Sequence, residues 1–133
     1  MLARRLIPVT MLVLAAMACG GSDTTGTSNT PPQPQGDPVA AATIQVQDNI
    51  FSPSTVLISA GGTVTWTWAG VGQHSVTAAG NPVLPQTAPL SVGPKTLGPV
   101  VFATAGTYSF FCLNHGVAGV YGGGQMTGAV FVQ

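Results

Sequence analysis

The sequence predicts an all-β fold, an antiparallel β-sandwich of about seven or eight short strands. Apolar and polar residues alternate with a period of two through most of the chain after Thr43, which is typical of strands that bury one face. Residues that favour turns separate the alternating runs, and no segment has the apolar spacing of an amphipathic helix. The chain has 133 residues, the size of one domain, so a multi-domain architecture is not expected.

Each strand is predicted from its own alternation. Ile44 and Val46 are apolar and are separated by glutamine, which predicts a strand that begins at Thr43. The segment Thr63–Trp68 alternates most clearly, because threonine occupies every second position and suits a half-exposed strand. The remaining predicted strands are 55–58, 74–77, 99–104, 107–112 and 126–132, with a turn at 59–62.

The low charge of the chain excludes two function classes. Three basic and three acidic residues are present, and none of the acidic residues is Glu. Without a basic surface the protein has nothing to neutralise phosphates, so nucleic acid is not an expected partner. No two carboxylates lie close together in the sequence, which argues against paired-carboxylate acid–base catalysis. Asp48 and Lys95 are most simply interpreted as solvated surface charges.

Residues 1–18 have the composition of a secretory signal peptide. Two arginines precede an apolar run from Leu6 to Ala18, which is shorter than the roughly 20 apolar residues of a membrane span. Small residues precede Cys19, and Gly and Ser follow it, so the site resembles a bacterial lipoprotein cleavage site. We therefore expect export and lipidation of Cys19, at the periplasmic face of a bacterial membrane or at the cell surface. The alternative is ordinary cleavage after Ala18, which leaves Cys19 as a thiol.

A flexible tether is expected between the lipid and the folded domain. Residues 22–42 are rich in Ser, Thr, Gly, Pro and Gln and contain almost no large apolar side chains. Such a segment cannot offset its ordering entropy by burial. The predicted organisation is therefore a signal peptide at 1–18, a lipidated cysteine with its tether at 19–42, and one folded domain at 43–133.

The folded part contains few side chains that bind transition metals. They are His74, Cys112 and His115, followed by Met126. Two imidazoles and a thiolate form a trigonal set, and a weak thioether completes the ligand set of a blue-copper electron-transfer site. Each residue also has a simpler interpretation, since Cys112 and Met126 suit a core and the histidines suit a strand edge and a loop.

Two groups of motifs resemble the plastocyanin/azurin cupredoxin family. The C-terminal group is 106–112 with His115 and 126–132, and the upstream group is 51–53, 61–66 and 74–76. The resemblance covers residues 43–133 and implies a Greek-key β-sandwich with one copper ion per chain at one end. It implies His74, Cys112, His115 and Met126 as the copper ligands.

One departure from the family pattern concerns the fourth ligand. Val120 occupies the place of the family's Met, and Met126 lies farther along, after a glycine-rich stretch. A longer loop can still return Met126 to the copper at modest entropic cost. The alternative axial groups are Gln125, a backbone carbonyl or no ligand.

Three further residues are expected around the metal. Ser75 follows the first histidine directly and is expected to hydrogen bond near the Cys112 loop. Tyr108 and Phe110 share a strand face with Cys112, so they are expected to pack in the core and to shield the inner side of the metal.

The predicted function is the transfer of single electrons between periplasmic or membrane redox proteins, without substrate turnover. The protein is expected to be a monomer. His115 is the expected electron port, and Val117, Ala118, Val120 and Tyr121 are the expected apolar docking surface. The alternative function is periplasmic copper storage or delivery, which the same ligands would serve.

Overall fold

The structure is a computed structural model that describes residues 26–133. The predicted signal peptide and the lipidation site at Cys19 lie outside the described residues. Within 26–133, no helix is long and apolar enough to cross a membrane. The described strands are β1 (Thr27–Ser28), β2 (Val39–Gln47), β3 (Ile50–Ser52), β4 (Thr55–Trp68), β5 (His74–Ala78), β6 (Ala88–Ser91), β7 (Thr96–Val101), β8 (Gly106–Phe111), β9 (Tyr121–Gly122) and β10 (Thr127–Val132).

The long strand β4 joins two layers of sheet. Its first part, 55–58, pairs in parallel with β10, which continues through β8 and β5 to β6. Its last part, 63–68, pairs in parallel with β2 and antiparallel with β7, and β2 continues to β3. The chain passes from one layer to the other near Gly61. The φ of this glycine, 82°, lies in the left-handed region, which glycine adopts without steric cost. The predicted all-β sandwich is confirmed, but the expectation of purely antiparallel pairing is wrong, because β4 pairs in parallel with both β2 and β10.

The core lies between the two layers and is largely aromatic. Phe110 of β8 makes edge contacts with Phe51 at 4.9 Å and with Trp66 at 5.4 Å between ring centroids, so it reaches across from one layer to the other. In β4 the predicted alternation is present, with Val64, Trp66 and Trp68 buried and the threonines between them half-buried. Edge-to-face contacts of this kind stabilise a core beyond simple area burial.

The structure differs from the sequence prediction in several places. Residues 59–62 are not a turn between two strands, because hydrogen bonds on both sides keep β4 continuous through a bend. Regular structure begins earlier than Thr43, since β2 starts at Val39 and β1 pairs Thr27 with Gly122. The strand predicted at 99–104 lies at 96–101 instead. The strands β6 and β9 were not predicted, because their sequences show no alternation of apolar and polar residues.

The sheet pairing brings three chain segments to one end of the sandwich. Both β5 and β10 pair antiparallel with β8, and Thr77 and Thr127 both lie opposite Phe111. The beginnings of β5 and β10 therefore flank the end of β8. His74 begins β5, Cys112 directly follows β8, and Met126 directly precedes β10.

Candidate metal centre

A tight turn after β8 aims Cys112 and His115 at one point. The carbonyl of Cys112 accepts hydrogen bonds from the backbone N–H groups of His115 and Gly116, at 3.3 and 2.9 Å. A side chain on Gly116 would collide with the carbonyl oxygen of Met126, so the close approach requires glycine. The turn removes the strand alternation that would send residues three apart to opposite faces.

The backbone of Met126 closes this turn from the other side. Its N–H donates to the carbonyl of His115 at 2.9 Å, and its carbonyl accepts from the N–H of Cys112 at 3.0 Å. Its side chain is fully buried. The long loop therefore returns Met126 to the Cys112–His115 turn, beside the other candidate ligands.

The first histidine arrives from β5 and is held by its backbone and its ring. Its carbonyl accepts a hydrogen bond from the indole Nε1 of Trp68 at 3.2 Å. Its ring Nε2 lies 3.1 Å from Oδ1 of Asp48. His74 is 1% exposed, so protein groups rather than solvent fix its ring.

Three donor atoms from His74, Cys112 and His115 lie within 4.8 Å of one another. Sγ of Cys112 is 3.8 Å from Nδ1 of His74 and 3.5 Å from Nδ1 of His115. An ion that binds nitrogen at about 2.0–2.1 Å and sulfur at about 2.3 Å, as zinc does, holds such donors roughly 3.5–3.8 Å apart at trigonal or tetrahedral angles. The two imidazoles and the thiol thus fit one shared transition-metal ion.

Solvent reaches the cluster unevenly. Cys112 and His74 are buried, whereas His115 is half-buried. The two imidazole rings are 4.9 Å apart between centroids. His115 is therefore the member of the cluster that communicates with the surface.

Ser75 contacts both the thiol and the chain that follows it. Its backbone N–H donates to Sγ of Cys112 at 3.5 Å. Its Oγ accepts from the backbone N–H of Leu113 at 2.9 Å and lies 3.0 Å from Oγ1 of Thr77. The expected hydrogen bond near the Cys112 loop is thus made twice, once by the main chain and once by the hydroxyl.

The other residues expected around the metal are placed as follows. Tyr108 and Phe110 are buried in the core, where the Tyr108 ring packs edge-on against Phe102 and its hydroxyl donates to the carbonyl of Thr104 at 2.8 Å. Gln125 is half-buried and lines a surface cavity of about 330 Å³, together with the β9 residues and Thr127.

Sequence reasoning missed the contact of Asp48. Asp48 is solvent-exposed as predicted, with 48% of its side chain exposed. Its carboxylate also accepts from the backbone N–H of Gly72 at 2.8 Å and of Val71 at 3.3 Å, and it faces the ring of His74. The hydrogen bond from Gly72, then that from His74, hold the pKa of Asp48 below its ordinary value. No sequence signal links a turn residue to a histidine so far along the chain.

Tyr121 is a second correction. It was expected on an exposed docking surface, but it is 5% exposed, and its hydroxyl donates to Oγ of Ser109 at 2.6 Å. Pairing of β9 with β1 turns this residue inward. Val117 is exposed as expected, and Leu113 and Val71 are exposed apolar side chains that the prediction did not include.

Known proteins with a similar sequence or fold show which family the chain belongs to. The relationship is shown by the sequence of a known protein and not by a family model, since no family model matches the chain. Plastocyanin of Prochlorothrix hollandica is 36% identical over 97 residues, which cover 64% of this chain and 73% of that protein.

Solved structures share the fold at lower identity. A purple cupredoxin from Nitrosopumilus maritimus has a TM-score of 0.55 at 20% identity, covering 69% of this chain and 99% of that one. A copper-containing nitrite reductase from Thermus scotoductus has a TM-score of 0.56 at 20% identity, covering 78% of this chain but 25% of the reductase. The resemblance predicted from the motifs is confirmed by the plastocyanin relationship. The chain belongs to the plastocyanin/azurin-like cupredoxins, which are type 1 blue copper proteins, and its cofactor is one copper ion.

Proposed function

We propose that this protein carries single electrons between redox partners outside the cytoplasm. The observation that carries the proposal is the convergence of one donor atom each from His74, Cys112 and His115 within 4.8 Å. Two imidazoles with one thiolate are the trigonal set of electron-transfer copper sites. Bound copper supplies a one-electron couple between its two common oxidation states.

The proposed ligands are His74, Cys112 and His115, with Met126 as the weaker axial ligand. Burial of Met126 and its backbone bonds to the Cys112–His115 turn favour it over Gln125. Gln125 lines a surface cavity with Ser54 and Thr55 on its walls, which argues against it as the axial ligand.

The chain's own groups would keep this site rigid and dry. Ser75 and the carbonyl of Cys112 fix the turn by hydrogen bonds, and Phe110 packs the core behind β8. Donors that are held in place need little rearrangement when the charge at the site changes by one. Half-buried His115 is the proposed route by which the electron enters and leaves.

The proposed docking surface is the apolar surface formed by the loops beside the site. Leu113 and Val117 are each 54% exposed, and the segment from Cys112 to Met126 contains no charged residue. A redox protein with an apolar, uncharged patch is the partner that fits. Without charges to steer the encounter, association should depend little on salt, and a small interface lets the partners separate quickly.

Attachment to a membrane through lipidated Cys19 is part of the proposal. A tethered carrier is concentrated near membrane-bound partners without any additional contact. Cys19→Ser is expected to move the protein from the membrane fraction to the soluble fraction of the exporting cell. Unchanged fractionation of this variant would contradict the anchor and would leave the electron-transfer proposal intact.

Copper storage or delivery is the second candidate function. Gly119, Gly122, Gly123 and Gly124 all have positive φ in the loop between His115 and Met126, and such a loop favours metal exchange if it is mobile. The pairing of β9 with β1 and the hydrogen bond from the N–H of Gln125 to the carbonyl of Gly122 oppose that mobility. Slow release of copper to a chelator, set beside fast electron self-exchange, favours carriage.

Enzymatic turnover is the least supported candidate. The sequence contains two histidines and two cysteines in all, which are too few donors for a second metal centre beside the proposed one. Reduction of nitrite or oxygen by the isolated copper-loaded protein would revive this candidate.

Visible and EPR spectra of the copper-loaded protein test the proposal. An intense thiolate-to-copper band is expected, and Cys112→Ser should abolish it. Cys19→Ser is the matched control, because it removes the chain's other cysteine and should leave the band unchanged. A wild-type protein without the band, or a Cys112→Ser variant that retains it, would contradict the copper site.

A further inference from the structure

One of the two charged residues of segment 39–133 contacts the ring of His74, and the other lies over Trp68, which hydrogen bonds to the His74 backbone. These residues are Asp48 and Lys95, and the chain's other four charges precede Val39. Oδ1 of Asp48 is 3.1 Å from the ring Nε2 of His74. Nζ of Lys95 lies 5.6 Å from the ring centroid of Trp68, whose Nε1 donates to the carbonyl of His74. In a domain with so little charge, this placement is a specific feature of the His74 environment.

The ring of His74 is held at both of its nitrogen atoms. Nδ1 faces Sγ of Cys112 at 3.8 Å, and Nε2 faces the Asp48 carboxylate. An ionised carboxylate only accepts hydrogen bonds, so the nitrogen that faces it carries the proton. The lone pair of the neutral ring is then on Nδ1, the nitrogen that points into the donor cluster.

The carboxylate is itself fixed by the loop that leads to His74. The N–H groups of Val71 and Gly72 both donate to it. A side chain on Gly72 would lie 3.1 Å from both Oδ1 of Asp48 and Nε2 of His74, so the absence of one keeps the two groups in direct contact. The backbone of Gly70 also leaves no room for a side chain beside this carboxylate.

We propose that Asp48 is a positioning residue for the copper site: it fixes His74 with its proton on Nε2, and its negative charge favours the oxidised over the reduced metal. This proposal rests on the proposed function, since it takes His74 as a ligand. Carboxylates that accept from a ligating histidine fix its tautomer and raise its basicity as a donor. A more basic donor and a nearby negative charge both stabilise the higher metal charge.

Three variants separate the components of this effect. Asp48→Asn retains an oxygen that can accept from Gly72 and from His74 but loses the charge. Asp48→Ala loses both the acceptor and the charge. Gly72→Ala keeps the carboxylate and places a methyl group in tight contact with both the carboxylate and the ring, which should push them apart. Asp37→Asn is the matched control, because it removes the same charge from an exposed residue in the segment before β2.

The first measurement uses the metal-free protein. Nitrogen-15 NMR of the imidazole rings is expected to show His74 protonated at Nε2 in the wild type, in Asp48→Asn and in Asp37→Asn. In Asp48→Ala the two tautomers are expected to mix, because the acceptor that selects one of them has gone. A wild-type ring protonated at Nδ1, or an Asp48→Ala ring still entirely protonated at Nε2, overturns the positioning role.

The second measurement is the reduction potential of the copper-loaded protein. Loss of the carboxylate as a hydrogen-bonding partner should weaken Cu(II) binding about tenfold. A tenfold change in the affinity for Cu(II) relative to Cu(I) corresponds to about 59 mV for a one-electron couple. Asp48→Ala, which loses both the acceptor and the charge, should therefore raise the potential by roughly that amount. Asp48→Asn, which loses only the charge, and Gly72→Ala should each raise it by less. Asp37→Asn should leave it unchanged.

The outcomes distinguish this proposal from the proposed function. Equal potentials in Asp48→Asn and Asp37→Asn, with the thiolate band present in both, overturn the role of the Asp48 charge and leave the copper site intact. Absence of the band from the wild type overturns the proposed function. The NMR result on the metal-free protein stands in either case, because it does not depend on bound copper.

Discussion

The backbone N–H of Ser75 donates a hydrogen bond to Sγ of Cys112 over 3.5 Å. Hydrogen bonds to a charged acceptor are stronger than those between neutral groups, so this bond should be strongest when the sulfur is a metal-bound thiolate. It belongs to the main chain and survives any change of side chain except to proline. The hydroxyl of Ser75 has a separate role, because it accepts from the N–H of Leu113.

Ser75→Ala is expected to lower the free energy of unfolding of the metal-free protein by about 1–2 kcal/mol, since the N–H of Leu113 loses its partner. The thiolate-to-copper band should keep its position, because the N–H···S bond remains. Urea unfolding and a visible spectrum measure the two effects. Ser91→Ala is the control: its Oγ accepts from Nζ of Lys95, a long side chain whose charged end can turn to water instead, so the expected change is within about 0.5 kcal/mol. Equal losses in the two variants would contradict the prediction.

The axial ligand can be identified by a pair of neighbouring substitutions. Met126→Leu preserves the buried volume but removes the thioether. With Met126 as the axial ligand, the thiolate band persists and the reduction potential rises, because fewer donors stabilise the oxidised ion. Gln125→Leu should leave both unchanged. A shift in Gln125→Leu and none in Met126→Leu would instead assign the axial position to the glutamine.

Much of the fold was predictable because its strongest signals are local. The alternation of apolar and polar residues in Thr63–Trp68 can be recognised from neighbouring residues alone, and the structure shows the same alternation in burial. The continuity of β4 through 59–62 was not predictable, since Gly61 and Gly62 are as typical of a turn as of a bend. What decides between them is the pairing of the flanking segments with β10 and β2, which lies far away in sequence.

The metal-binding part of the candidate site could be predicted, because side chains that bind transition metals are rare in this domain. Two histidines and one cysteine in an otherwise donor-poor domain leave little choice of metal site, and the structure brings them together. The contact of Asp48 with His74 was not predictable in the same way. It depends on the β2–β3 turn lying beside the loop before β5, where the N–H of Gly70 donates to the carbonyl of Val46.

A charge on the docking surface should make electron self-exchange depend on salt. Val117 is 54% exposed in the loop after His115. In Val117→Lys two like charges would meet in the encounter, so self-exchange should slow at low ionic strength and recover as salt screens the repulsion. Val83→Lys is the control, because Val83 is 64% exposed beside Pro82, which lies against Gly106 at the opposite end of β8 from Cys112. Equal salt dependence in the two variants would argue against docking at this end.

The segment before β2 braces the loop that carries the axial candidate. Thr27 pairs with Gly122 and Ser28 with Tyr121. A side chain on Gly123 would lie 2.7 Å from the methyl group of Thr27, so the glycine permits this close approach. The part of the predicted tether at 27–28 is thus in contact with the ligand loop.

Removal of residues 1–34 should therefore loosen that loop more than removal of residues 1–25, which leaves β1 in place. The larger deletion is expected to speed amide exchange at Tyr121 and Gly122, since the β1–β9 pairing protects this stretch. Release of copper to a strong chelator should quicken several-fold as well, because the axial candidate at the end of the loop is less constrained. Hydrogen exchange and chelator kinetics on both truncated proteins measure these effects. If the two truncations behave alike, β1 does not constrain the loop, and the rigidity of the site must come from the turn between Cys112 and Gly116 alone.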